Sequence, residues 1–130
     1  MAGLLFDDGP MSIIMIKQTV MVGLGGAIGA LLRWRLASLN DGALLPAGTL
    51  TANLAGCFIL GVVLGVLKPG SLPYLFVVAG FCGALTTFST FVLELVQLRG
   101  MGVALGYGSI SIVAGLATLL AGQAIAVRLV

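Results

Sequence analysis

The sequence has 130 residues, 60% of them hydrophobic and only 8% charged, with a mean hydropathy of +1.24 and 20 glycines. Soluble globular domains carry about 25% charged residues, so that class is excluded. A net charge of +2 gives no reason to expect a nucleic-acid partner, and the absence of histidine leaves proton-relay and metal chemistry poorly supplied.

Residues 1–12 carry Asp7, Asp8, Gly9 and Pro10 and lack the basic head and cleavage site of a secretory signal. They are expected to form a short disordered extension, with Met11 as an alternative start and residues 13–130 as the membrane domain. A first span is expected from about Ile13 to Leu32, with Lys17 snorkelling near one end and Arg33 and Arg35 marking the other. Three further charge-free stretches follow: Gly42 to Leu67 (26 residues), Pro69 to Leu93 (25) and Gly100 to Val127 (28). Each exceeds the roughly 20 residues that a spanning helix needs. The expected fold is therefore an all-α integral membrane protein of four transmembrane helices. Its loops, Arg33 to Pro46, Lys68 to Pro73 and Leu98 to Met101, are too short to hold an extramembrane active site. Gly25 and Gly29, Gly61 and Gly65, and Gly102 and Gly106 are spaced for close helix packing. Cys57 and Cys82 lie within spans, with no CxxC motif, and read as buried small apolar residues.

Polar side chains stand out against this background. In the second span, Thr49 and Asn53 lie four residues apart and share a helix face. An amide in hydrocarbon must be paired, so Asn53 is either an inter-helical hydrogen bond or a donor facing a water-filled path. The third span holds Gly80, Gly83 and the run Thr86, Thr87, Ser89 and Thr90, which weakens the helix and predicts a break mid-membrane. Such breaks bind ions, because freed carbonyls hold cations and new helix amino termini favour anions. Phe88 and Phe91, three apart, are expected to face one way, and an aromatic edge is electropositive enough to line an anion path. Glu94 is the only acid within a span; it is either functional or reaches the interface. In the fourth span Tyr107 and Ser111 share a face, with Gly115 one turn further and Ser109 pointing elsewhere. If the chain crosses four times, Lys17, Lys68 and Arg128 fall on one side and Arg33, Arg35 and Arg99 on the other. An even split gives no preferred orientation.

The stretches GGAIGALLRW (Gly25 to Trp34), GTLTANLAG (Gly48 to Gly56) and GFCGALTTFSTF (Gly80 to Phe91), followed by Glu94, resemble the Fluc or CrcB fluoride channels. The resemblance covers about Gly25 to Ser111. It implies an antiparallel dual-topology homodimer with two fluoride pores and a central structural sodium ion, in the inner (plasma) membrane of a prokaryote. It implies fluoride-pore roles for Asn53, Phe88 and Phe91, with Thr49, Ser89, Thr90, Tyr107 and Ser111 as a polar track and Glu94 beside it. It also implies that Arg33 closes the first helix and that backbone carbonyls of Gly83 and Thr86 hold the sodium. Gly115 departs from relatives that carry a further hydroxyl there. The rival readings are a small proton-coupled multidrug exporter, which wants a titratable carboxylate deep in its substrate site, and a non-transporting assembly subunit. None of the three is an enzyme.

Overall fold

The structure, a computed structural model, describes residues 10–129. The extension expected over residues 1–12 lies largely outside the described residues; from Pro10 onward the chain is helical. α1 spans Pro10–Ala37 and runs into a 3-10 turn, Ser38–Asn40. α2 is Ala47–Val66, α3 covers 72–85, α4 is Phe88–Gln97 and α5 is Met101–Leu129. Four stretches are long and apolar enough to cross a membrane: Ser12–Asn40, Ala47–Val66, Leu72–Gln97 and Met101–Leu129. Helices suit such stretches because a helix satisfies its own backbone where no water can. The first extends further than its charge-free length implies, since Arg33 and Arg35 are compatible with continued helix. At about 1.5 Å per residue its 28 residues measure about 42 Å.

Pro46 precedes α2, and Leu67 ends it in an extended conformation. Ser71 caps α3, its hydroxyl accepting from the Tyr74 N–H at 3.4 Å. Gly100 turns the chain from α4 into α5 at φ 100°, a conformation that favours glycine.

α1 packs on α3, and α2 on α5. Glycine explains both pairings. A Cβ at Gly25 or Gly29 would collide with the carbonyls of Phe76 or Phe81, and one at Gly80 with the carbonyl of Val22. On the other side Gly61 faces the Leu119 carbonyl, Gly122 the Phe58 carbonyl, and Gly65 the Ala126 side chain. Backbone thus meets backbone, which is how helices associate in lipid. Gly102 and Gly106 do not follow this pattern: both face open space within the chain, so their spacing packs nothing here. The obstacle at Gly61 is a carbonyl that cannot swing aside, so Gly61→Val is expected to cost about 3 kcal/mol or more, read as a large loss of thermal stability in detergent.

α3 is unusual in its centre. Leu75–Cys82 is a π-helix, and the Gly83 N–H still reaches back five residues to the Val78 carbonyl. Helical geometry resumes over Gly83–Leu85 and stops again: Thr86 (φ −79°, ψ 154°) and Thr87 (φ −150°, ψ 121°) are extended before α4 begins at Phe88.

Candidate functional site

Two extended residues between apolar helices present backbone groups that need partners, and neighbouring side chains supply them. Asn53 of α2 clasps Thr87 from both sides, its Oδ1 accepting the Thr87 N–H at 2.8 Å and its Nδ2 donating to the Thr87 carbonyl at 3.2 Å. Arg33 of α1 donates through Nε to the Ala84 carbonyl at 2.9 Å. Thr87 caps α4, accepting from the Thr90 N–H at 3.2 Å, while its hydroxyl lies 3.1 Å from Thr90 Oγ1 and 3.4 Å from Ser89 Oγ. These bonds have a consequence for two carbonyls. The N–H groups that would complete a helix at Gly83 and Thr86 belong to Thr87 and Thr90, and both are turned elsewhere.

A second cluster surrounds Glu94. It is 9% exposed, and Thr49 and Tyr107 beside it are 5% and 3% exposed. Glu94 Oε1 accepts from the Thr49 hydroxyl at 2.5 Å and from Asn40 Nδ2 at 3.0 Å, and Oε2 lies 3.4 Å from the Tyr107 hydroxyl. Tyr107 also reaches the Pro46 carbonyl at 3.3 Å. The carboxyl therefore turns into the protein and is held by neutral donors. Tyr107 is likewise a buried residue, packed at 5.7 Å between ring centroids against Phe91.

Two cavities adjoin these clusters. An open cleft of about 490 Å³ is lined by Asn53, Phe88, Phe91 and Ser111 together with Gly83 and Thr86. A second, of about 270 Å³, is lined by Arg33, Asn40, Thr49 and Thr90. Thr87 borders both. Phe88 and Phe91 contact one another at 6.2 Å, yet Phe88 is 79% exposed and Phe91 only 8%. Both rings line the same cleft, to different depths: Phe88, at the first position of α4, sits at its edge, and Phe91 turns into the core. Ser89 is exposed. Ser111 directs its proton to the Tyr107 carbonyl at 2.7 Å. Gly115 also lines the cleft, and a Cβ there would make ordinary contact with Cys57 Sγ at 3.6 Å.

Arg33 does not close α1. The helix continues one turn beyond it to Ala37, and its guanidinium fastens α1 to the residues before the interruption in the third span. Two residues without an expected role prove central. Thr87 was hidden within its hydroxyl run, and Asn40 within SLNDG, a stretch indistinguishable from an ordinary turn.

The family described as "CrcB-like protein, Camphor Resistance (CrcB)" matches residues 20–123. The chain belongs to the CrcB family. A relative from Albidiferax ferrireducens, named fluoride-specific ion channel FluC, is 42% identical over 101 residues, covering 73% of this chain and 78% of the relative. Another of that name from Pseudomonas aeruginosa is 44% identical over 94 residues, covering 68% and 74%. FluC 1 of Staphylococcus aureus is 47% identical over 85 residues, covering 62% and 70%. The CrcB match contains the Asn53 clasp, the interrupted third span and the Glu94 cluster. With its four spanning helices, this CrcB-family chain is a multi-pass membrane protein.

Proposed function

We propose that this chain forms a channel that lets fluoride leave the cytoplasm passively, down its electrochemical gradient. The observation that carries the reading is the name shared by its relatives, fluoride-specific ion channel, together with a CrcB match over residues 20–123 that includes Arg33, Asn53, Glu94 and Tyr107. Relatives so named are channels and not enzymes, and they come from bacteria, which fits an inner-membrane location.

The chemistry supports the assignment. Fluoride is small and strongly hydrated, so a path must replace its water with several donors in succession and release it again. Asn53 keeps a second Nδ2 proton beyond the one given to Thr87, the phenyl edges of Phe88 and Phe91 border the same cleft, and Thr49, Ser89, Thr90, Tyr107 and Ser111 form a polar track in which Thr90 accepts from Thr87 and keeps its own proton, while the protons of Thr49, Tyr107 and Ser111 must turn from their present acceptors to meet the ion. Glu94 organises the donors at Thr49 and Tyr107. In this reading the interruption at Thr86 and Thr87 lies at membrane depth, where irregular backbone is tolerated only against protein or a water-filled cavity. In this reading a second, antiparallel copy closes the cleft beside it, giving two pores per dimer.

A sodium ion fits the same backbone. The carbonyls of Gly83 and Thr86 have lost their helical donors, both residues border the cleft, and hard oxygen donors suit a small hard cation. Bound between the copies, the ion would take the place of the donors those carbonyls lack and hold the two interruptions together.

Purified protein in liposomes should release fluoride, followed with an electrode, and retain chloride. Equal chloride flux, or flux that requires a proton gradient, would overturn the channel reading. Full activity and stability in strictly sodium-free buffer would remove the sodium from it.

A further inference from the structure

Asn40 ends the turn after α1, and its amide engages three groups at once. Its Oδ1 accepts from the Gly48 N–H at 2.7 Å, in the first turn of α2, whose N-cap residue Pro46 offers no side-chain cap. Its Nδ2 donates to Glu94 Oε1 at 3.0 Å and to Thr49 Oγ1 at 3.2 Å. We propose that Asn40 is a positioning residue: it holds the Glu94 carboxylate and fixes the direction of the Thr49 hydroxyl, so that a loop side chain sets the donor arrangement of the permeation path. The inference rests on the channel reading above.

The orientation of the amide follows from its partners. A backbone N–H demands the oxygen at Gly48, which leaves the NH₂ group for Glu94 and Thr49. Thr49 Oγ1 accepts from Asn40 Nδ2 and gives its one proton to Glu94 Oε1, since a carboxylate oxygen can only accept. Without that constraint a helical hydroxyl tends to turn back on its own helix. Thr51 does so to the Ala47 carbonyl at 2.8 Å, Thr86 to Cys82 at 2.9 Å and Ser111 to Tyr107 at 2.7 Å. Thr49, in the first turn of α2, instead gives its proton to Glu94 Oε1 while its oxygen accepts from Asn40, so the amide supports the outward setting of the hydroxyl. Loss of the Asn40 amide removes one donor from Glu94 directly and frees Thr49 to withdraw a second, leaving a buried carboxylate with Tyr107 alone.

Gly48 is part of the same device. A Cβ there would meet the Leu36 carbonyl and approach Asn40 Oδ1 at 3.0 Å, so glycine lets the end of α1 lie close enough for the amide to seat.

Asn40→Asp separates the two halves of the role, because it keeps an acceptor for Gly48 and places a second carboxylate against Glu94. Fluoride efflux from liposomes should fall about ten-fold or more, as expected for replacing a hydrogen bond to a charged group by repulsion. The exchanged pair Asn40→Asp with Glu94→Gln restores one acceptor opposite one donor and should conduct several-fold faster than Asn40→Asp alone, a recovery that mere capping of α2 does not predict. Infrared difference spectra of detergent-purified wild type against Glu94→Gln locate the Glu94 carboxylate band, and Asn40→Ala should shift it toward a more weakly hydrogen-bonded carboxylate. Wild-type efflux in Asn40→Asp, no recovery in the exchanged pair, or an unshifted band would each overturn the proposal. If the wild type itself releases no fluoride, the channel reading fails and the infrared band decides the positioning role alone. If Asn40→Ala does not fold, the exchanged pair decides it.

Discussion

Asn53→Ala is expected to lower fluoride efflux about a hundred-fold or more while the protein still assembles and inserts. The side chain makes two hydrogen bonds to the backbone of Thr87, at 2.8 and 3.2 Å. Removing it leaves an N–H and a carbonyl without their partner at a place where the chain is already non-helical. Each orphaned buried group costs about 1–3 kcal/mol, and about 1.4 kcal/mol is a factor of ten in rate or population. The same truncation takes away the one amide donor that borders the open cleft together with Phe88 and Phe91. Asn53→Asp is the informative companion: it keeps an acceptor for the Thr87 N–H but sets a carboxylate against the Thr87 carbonyl and adds a fixed negative charge beside an anion path. It should be at least as inactive as Asn53→Ala. Efflux at the wild-type rate from both variants, measured in liposomes with equal protein incorporation, would place the path elsewhere.

Legibility of this fold from sequence follows its physics. The four spans are visible because hydrocarbon tolerates few charges, so their positions can be read directly from Lys17, Arg33, Asp41, Lys68, Arg99 and Arg128. Helix ends are less visible, since an interfacial arginine is at ease on a helix; α1 passes both Arg33 and Arg35 and stops only at Ala37. The interruption at Thr86 and Thr87 was announced by glycines and clustered hydroxyls, but the π-helix before it was not. LFVVAGFC is apolar throughout, and a uniformly apolar segment has no face from which a register of five could be distinguished from one of four.

Site residues divide the same way. Asn53, Glu94 and the third-span hydroxyls are conspicuous because polarity in a span is costly. Their partners are set by tertiary placement, which spacing along one helix cannot express. Phe88 and Phe91 show this: three residues apart they border one cleft, yet a helix that starts at Phe88 leaves the first ring exposed at its edge and buries the second. Asn40 is the extreme case, an ordinary turn residue until α2 and α4 are brought against it.

A tail of several lysines added after Val130 is expected to abolish most fluoride resistance when the chain is expressed alone. Four crossings place Lys17, Lys68 and Arg128 on one side and Arg33, Arg35 and Arg99 on the other, three against three. Orientation is set by Lys and Arg in short loops and near the span ends, with acidic residues contributing little. On the channel reading proposed above, a balanced chain inserts both ways and one copy of each orientation forms the antiparallel pair. The tail breaks the balance by several charges on one side, so most copies should hold that terminus in the cytoplasm. The opposite partner of that proposed pair then becomes scarce, and resistance should fall with it. A second variant with extra lysines between Arg35 and Pro46 is biased the other way and should be equally inactive by itself. Expressed together, the two supply one copy of each orientation, and resistance should return. The accessibility of a cysteine introduced at the end of the added tail reports the orientation independently of activity. A lysine-tailed chain that is fully active alone, with every tail reached only from the cytoplasm, would exclude an antiparallel pair and require the cleft to be closed by a parallel copy.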